Sequence, residues 1–179
     1  MLPTTKPRSA AMGDNGEDPL PALLADMESS KPAVRMRARK AIVAMGKRAV
    51  PLLIQLLSHR KPHVRWEAAK ALCEIADPIA AFALVNAMDD RDGDVRWLAA
   101  EGVAAVGRDG LYPLLAALIE RARLGWFCEG AHHVCRALVR RRKLGPILRP
   151  LLAALKESEP EVAVPPAAYT ALSRLRELS

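Results

Sequence analysis

The chain has 179 residues, 51% of them hydrophobic and only 4% aromatic, and a net charge of +7. No window holds the roughly 18 uncharged apolar residues that a membrane span needs, and Cys73, Cys128 and Cys135 are odd in number without Cys-x-x-Cys spacing, which excludes a disulfide scaffold. Small apolar side chains in this proportion let helices pack closely and make poor sheets, so the expected fold class is all-α.

Residues 1–18 are rich in Pro, Thr, Ser, Gly and Asn, and carry Lys6 and Arg8 without an apolar stretch. They predict a disordered tail rather than a secretory signal, and the plain reading is a cytoplasmic protein with reduced thiols. Residues 19–179 read as one elongated domain. Pro21-Ala22-Leu23-Leu24 opens its first helix, and Ser29-Ser30-Lys31-Pro32 turns the chain into a second carrying Val34-Arg35-Met36-Arg37-Ala38. Pro51-Leu52-Leu53-Ile54, a turn from Ser58 to Pro62, and Val64-Arg65-Trp66-Glu67-Ala68 repeat that unit. Phe82-Ala83-Leu84-Val85, a turn from Asp89 to Asp94, and Val95-Arg96-Trp97-Leu98-Ala99 repeat it again. Proline is tolerated in a first helical turn, Ser and Asp suit helix starts, and Gly46 and Gly107 suit left-handed helix ends. The Val anchors stand 30 and then 31 residues apart. Such a period marks stacked helical hairpins, none of which can bury its own apolar face.

Two further units are degenerate. Pro113-Leu114-Leu115-Ala116 and Pro150-Leu151-Leu152-Ala153 continue the series of first helices. In the fourth unit Phe127 takes the Val position, with Ala131, Val134, Cys135 and Leu138 as core; in the fifth Val164 takes it, with Ala168, Ala171, Leu172 and Leu175. Extra residues around Arg140 to Leu144 lengthen the last step. Terminal units must present a polar outer face, which explains their drift.

Charge is segregated. Residues 31–65 hold ten Lys or Arg and no acid, residues 66–120 ten acids against four bases, and residues 121–149 eight bases against Glu129 alone. Two basic blocks flanking an acidic middle suit acidic proteins or phosphates, although the acidic centre would repel a continuous phosphate track.

The run Val-Arg-x-x-Ala-x-x-Ala-Leu-x-x-Ile-Gly followed by Pro-x-Leu-x-x-Leu resembles the short HEAT-like repeats, and within them the version associated with phycobilisome (bilin) lyases. The resemblance covers residues 19–120 well and 121–179 loosely. It implies a right-handed α-solenoid of about five helical hairpins, with the Val-Arg helices lining the concave side. It also implies that the repeat arginine bonds a turn acid, which for Arg96 would be Asp92 or Asp94, while Arg35 and Arg65 lack an acid in their own turns.

With the Val-Arg helices inward, the third, seventh and tenth residues of each segment share the exposed face. Those rows read Met36, Trp66, Trp97, Glu129; Lys40, Lys70, Glu101, His133; and Val43, Cys73, Ala104, Arg136. Trp66 and Trp97 should sit side by side as aromatic anchors, with Arg37, Lys40, Lys70 and Arg136 supplying charge. The expected function is a non-catalytic protein-binding scaffold taking an acidic or extended partner segment. Alternatives are a nucleic-acid binder using residues 31–65 and 121–149, and a bilin lyase-type subunit whose tetrapyrrole groove Trp66, Trp97, His133 and Arg136 would line. No catalytic residue, metal or cofactor is assigned. Glu129-x-x-His132 resembles half of a carboxylate-bridged metal site, but no second Glu-x-x-His exists. A phosphate-cradling Gly loop and a dinucleotide fingerprint are absent.

Overall fold

The computed structural model describes residues 19–141 and 143–178, so the tail expected over residues 1–18 lies outside them. The described residues form ten α-helices and no strand. In chain order they are α1 (Leu20–Met27), α2 (Pro32–Ala44), α3 (Val50–Leu56), α4 (Pro62–Ile75), α5 (Ala81–Ala87), α6 (Gly93–Val106), α7 (Arg108–Arg121), α8 (Gly125–Leu138), α9 (Gly145–Ala154) and α10 (Pro160–Glu177). Helices α2, α4, α6 and α8 stack successively into one row, and α1, α3, α5 and α7 pack behind them. This is an α-solenoid. Its core runs between the two layers through Met27, Ile42, Leu53, Leu72, Leu84 and Leu114, all fully buried. Each such side chain contributes about 1.5–3 kcal/mol on burial, and each draws its neighbours from two units.

The repeat is held at its turns by one recurring bond. Arg35 Nη1 donates to the Ser29 carbonyl at 2.9 Å, Arg65 Nη1 to His59 at 3.0 Å, and Arg96 Nη1 to Asp90 at 2.9 Å, each reaching six residues back. In the fourth unit Cys128 Sγ donates to the Ala122 carbonyl at 3.1 Å, again six residues back. A thiol thus replaces the guanidinium in the same slot, which places Phe127 as the Val equivalent. The same turn residues also accept from the backbone two residues on, as Ser29 does from Lys31, His59 from Lys61 and Asp90 from Asp92. Arg96 therefore bonds the Asp90 carbonyl rather than the expected side chains of Asp92 or Asp94. Asp92 instead caps α6, accepting from the Asp94 and Val95 amides at 2.9 and 3.3 Å.

At the opposite ends, Gly46 has φ +61° and Gly107 φ +84°. Gly107 also has ψ −128°, a conformation a Cβ strongly disfavours. The matching position of the second unit is Ala76, which takes the left-handed form at φ 52° and ψ 36° at a cost of about 1 kcal/mol.

Two expectations for the C-terminal units fail. Pro113 and Pro150 do not open helices: α7 starts at Arg108 and α9 at Gly145, so both prolines lie inside. In the earlier units the equivalent lead-in is a short 3₁₀ turn, Gly46–Ala49 and Pro78–Ala80. Before Pro113 it is continuous α-helix, and the carbonyl of exposed Asp109 loses its helical donor to water. Nor does α10 extend the α2–α4–α6–α8 row. It packs along α7 and α9, and both Arg108 and Tyr112 of α7 donate to the Leu175 carbonyl. The reason is length. Helix α7 has 14 residues where α3 and α5 have 7, and its extra turns offer an apolar flank that the 18-residue α10 covers. Val164, Ala168, Ala171 and Leu175 are buried there as core, while Leu172 is only partly covered.

Candidate binding face

The predicted site residues fall into two clusters on the row of stacked helices. The first lies between the N-terminal halves of α2 and α4, a cleft of about 770 Å³ whose apolar wall is Pro32, Met36, Pro62 and Trp66. Met36 is 43% exposed; Trp66 is half-buried with the Arg39 guanidinium 5.9 Å from its ring centroid. Proline at the first position of both helices keeps this rim free of donors that would hold water. Arg37 and Lys40 are exposed beside it, and Lys70 is partly covered.

The second cluster bridges α6 and α8. Trp97 is 53% exposed, and its ring meets that of His133 at 4.5 Å between centroids with a 51° tilt. Glu101 Oε1 stands 3.0 Å from His133 Nε2, so a carboxylate holds the imidazole against the indole. Glu129 and Arg136 are exposed further along α8. Trp66 and Trp97 therefore do not stack on each other: one pairs with a cation from α2, the other with an imidazole from α8. The inter-helix spacing of roughly 8–10 Å leaves room for a side chain between neighbouring rows.

One aromatic escaped the ladder. Trp126 is 46% exposed, donates from Nε1 to Asp89 Oδ1 at 2.9 Å, and carries the Arg96 guanidinium 5.7 Å from its ring centroid. It shares a narrow cleft of about 120 Å³ with Trp97, Met88 and Glu129. Its position precedes the Val slot, where the other units have Ala33, His63 and Asp94, all of which line the first cleft. Residues three apart are helical neighbours, so the face includes that preceding row. The signal was available in the alignment.

The first basic block is largely committed internally. Glu67, buried on α4, takes Arg35 at 3.3 Å and Arg39 at 2.9 Å, and Arg39 also bonds Glu74. Arg65 grips Asp90 through two bonds of 2.7 and 2.8 Å. Those arginines cannot also neutralise phosphates, which weakens the nucleic-acid alternative. Chemistry at thiols finds no support either. Burial pushes the Cys135 thiol up to about 12; burial likewise raises Cys128 and Cys73. Among the described residues no three His, Cys, Asp or Glu gather as a metal-ligating group, and Glu129 and His132 do not meet: Glu129 is exposed, whereas His132 faces α9. No helix of the described residues is long and apolar enough to cross a membrane.

Residues 20–104 match the family described as HEAT repeats. Among solved structures, the complex of CpcE and CpcF of phycocyanin lyase from Nostoc sp. PCC7120 is similar at a TM-score of 0.62 and 23% identity, over 86% of this chain and 97% of that one. A designed armadillo repeat protein aligns at a TM-score of 0.40 and 16% identity, over 87% of this chain and 99% of that one. No curated protein matches the sequence significantly. The likeness at this identity is one of fold: a HEAT-like repeat solenoid of the bilin lyase repeat type.

Proposed function

From the premise that this chain is a HEAT-like repeat solenoid, we propose that it is a non-catalytic interaction module. It takes an extended protein segment across α2, α4, α6 and α8, the side read as concave. The observation that carries this is the exposed apolar row Met36, Trp66 and Trp97, continued by Trp126 and set in a cleft with an apolar wall. Exposed tryptophan beside ordered charge is costly on a free surface and is the usual anchor of an interface. Arg37, Lys40, Lys70 and Arg136 favour carboxylates toward the ends of the segment, while Glu101 and Glu129 favour a cation at its middle.

Peptides selected from a random library on the immobilised protein should lose about 2 kcal/mol of affinity, roughly thirtyfold, on Trp97→Ala. Unchanged affinity in both Trp66→Ala and Trp97→Ala, with helicity intact by circular dichroism, would sink the reading.

The likeness to the phycocyanin lyase complex favours a second reading, a lyase-type subunit holding a tetrapyrrole near Trp66, Trp97, His133 and Arg136. On that reading, purified protein mixed with a bilin should shift and sharpen the chromophore's visible absorption. A spectrum identical to free bilin at excess protein rejects it.

A further inference from the structure

A separate cleft opens between α8 and α9. It measures about 450 Å³ and is lined by His132, Arg136, Val139, Arg140, Leu152 and Lys156. His132, Arg136 and Arg140 follow one another at four-residue steps, so α8 and its immediate continuation present them along one stripe. Lys156, just beyond the end of α9, faces the stripe from the other wall.

The chemistry of this cleft differs from that of α2 and α4. There Glu67 and Asp90 close the arginines into ion pairs. Here none of Arg136, Arg140 and Lys156 has a carboxylate or any other hydrogen-bond partner among the described residues. His132 Nε2 is buried in the wall without a hydrogen-bond partner. Burial, and then the charges of Lys156, Arg136 and the neighbouring His133, hold the His132 ring below its ordinary protonation range. The cations are thus close enough to the imidazole to oppose its proton. Like charges converging on an unpaired buried nitrogen are unfavourable until an anion enters.

We propose that this cleft is an oxyanion site that takes a phosphate group, free or as a monoester. A phosphate dianion offers several acceptor oxygens to two planar guanidinium forks and an ammonium at once. A carboxylate would fill one fork and leave the remaining cations unopposed. Val139 and Leu152 line the space between the cations, and their apolar surface strengthens charge-assisted bonds there. Entry of the dianion supplies the negative charge that His132 lacks, so its ring gains a reason to protonate and donate from Nε2. The site shares only Arg136 with the protein-docking face and does not depend on it.

The test is a nuclear magnetic resonance titration of the His132 ring signals in labelled full-length protein at low ionic strength. Inorganic phosphate and phosphoserine are added in separate arms. A saturable His132 shift is expected, weakened about tenfold by Arg136→Gln and by Lys156→Gln and unchanged by Arg174→Gln on α10. Saturation by phosphoserine alone assigns a monoester, and saturation by inorganic phosphate assigns the free ion as sufficient. No saturable shift in either arm, or equal affinity in both cleft variants, overturns the proposal. Trp97→Ala should retain phosphate binding whichever way the peptide experiment falls, so the two readings fail independently.

Discussion

Phe127→Ala should remove about 3–5 kcal/mol of folding stability, the range for truncating a fully buried aromatic ring. Phe127 has no exposed surface, and it occupies the slot that Val64 and Val95 fill in the preceding units, both also fully buried. The Arg121 guanidinium stands 5.6 Å from its ring centroid, so the ring also seats the end of α7 against α8. Small domains hold only about 5–15 kcal/mol in total, and a chain of this size loses roughly 2–4 °C of melting temperature per kcal/mol. The expected drop by circular dichroism is therefore about 10 °C. Phe127→Val, which restores the side chain of the other repeats, should lose less because more of the volume is kept. Repeat arrays can unfold in sections, so hydrogen exchange should show α8 to α10 opening before α2 to α4. A melting temperature within about 2 °C of the wild type would contradict this account of the fourth unit.

Arg65→Ala should come next, at about 2–3 kcal/mol. Its side chain is 3% exposed and that of Asp90 10%, so deleting the guanidinium strands a largely buried carboxylate and frees the His59 carbonyl as well. The pair sets a pH dependence. Partial burial pushes the Asp90 carboxyl up, but hydrogen bonds from Arg65 and the Asp92 amide and the charges of Arg65 and Arg91 outweigh it, leaving Asp90 below the usual carboxylate range. A group whose folded pKa is depressed stabilises fully above its unfolded pKa, here about 3.9, and loses that contribution as pH falls through the lower folded value. The wild type should accordingly exceed Asp90→Asn in urea midpoint at pH 7, with the gap closing below about pH 4. A gap of constant size down to pH 2.5 would show that Asp90 acts through packing rather than charge.

These two effects show how unevenly the molecule could be read in advance. Phe127 was placed in the Val slot by counting from Val95, and the Cys128 bond to Ala122 shows the count to be physically meaningful. Arg65 was assigned no partner, because its acid, Asp90, sits 25 residues away in the next unit's turn. Arg35 likewise finds Glu67 at 32 residues' distance. Trp126 was left off the face because only the rows after the Val slot were counted, although Ala33, His63 and Asp94 border the same side.

What the sequence determined by itself was everything that depends on one helix and its turn: the period, the stripe each helix buries, the glycines at positive φ, and the exposed tryptophan row. Helical geometry places residues three and four apart on one face whatever lies beyond it. Only the tertiary structure decided which surface covers that face. It turned α10 onto α7, gave Arg35 and Arg65 their carboxylates, seated Trp97 on His133, and left His132, Arg136, Arg140 and Lys156 around a common cleft. Those outcomes rest on distances between units, and helix length and the apolar area left uncovered set such distances; neither is written in the period of any single repeat.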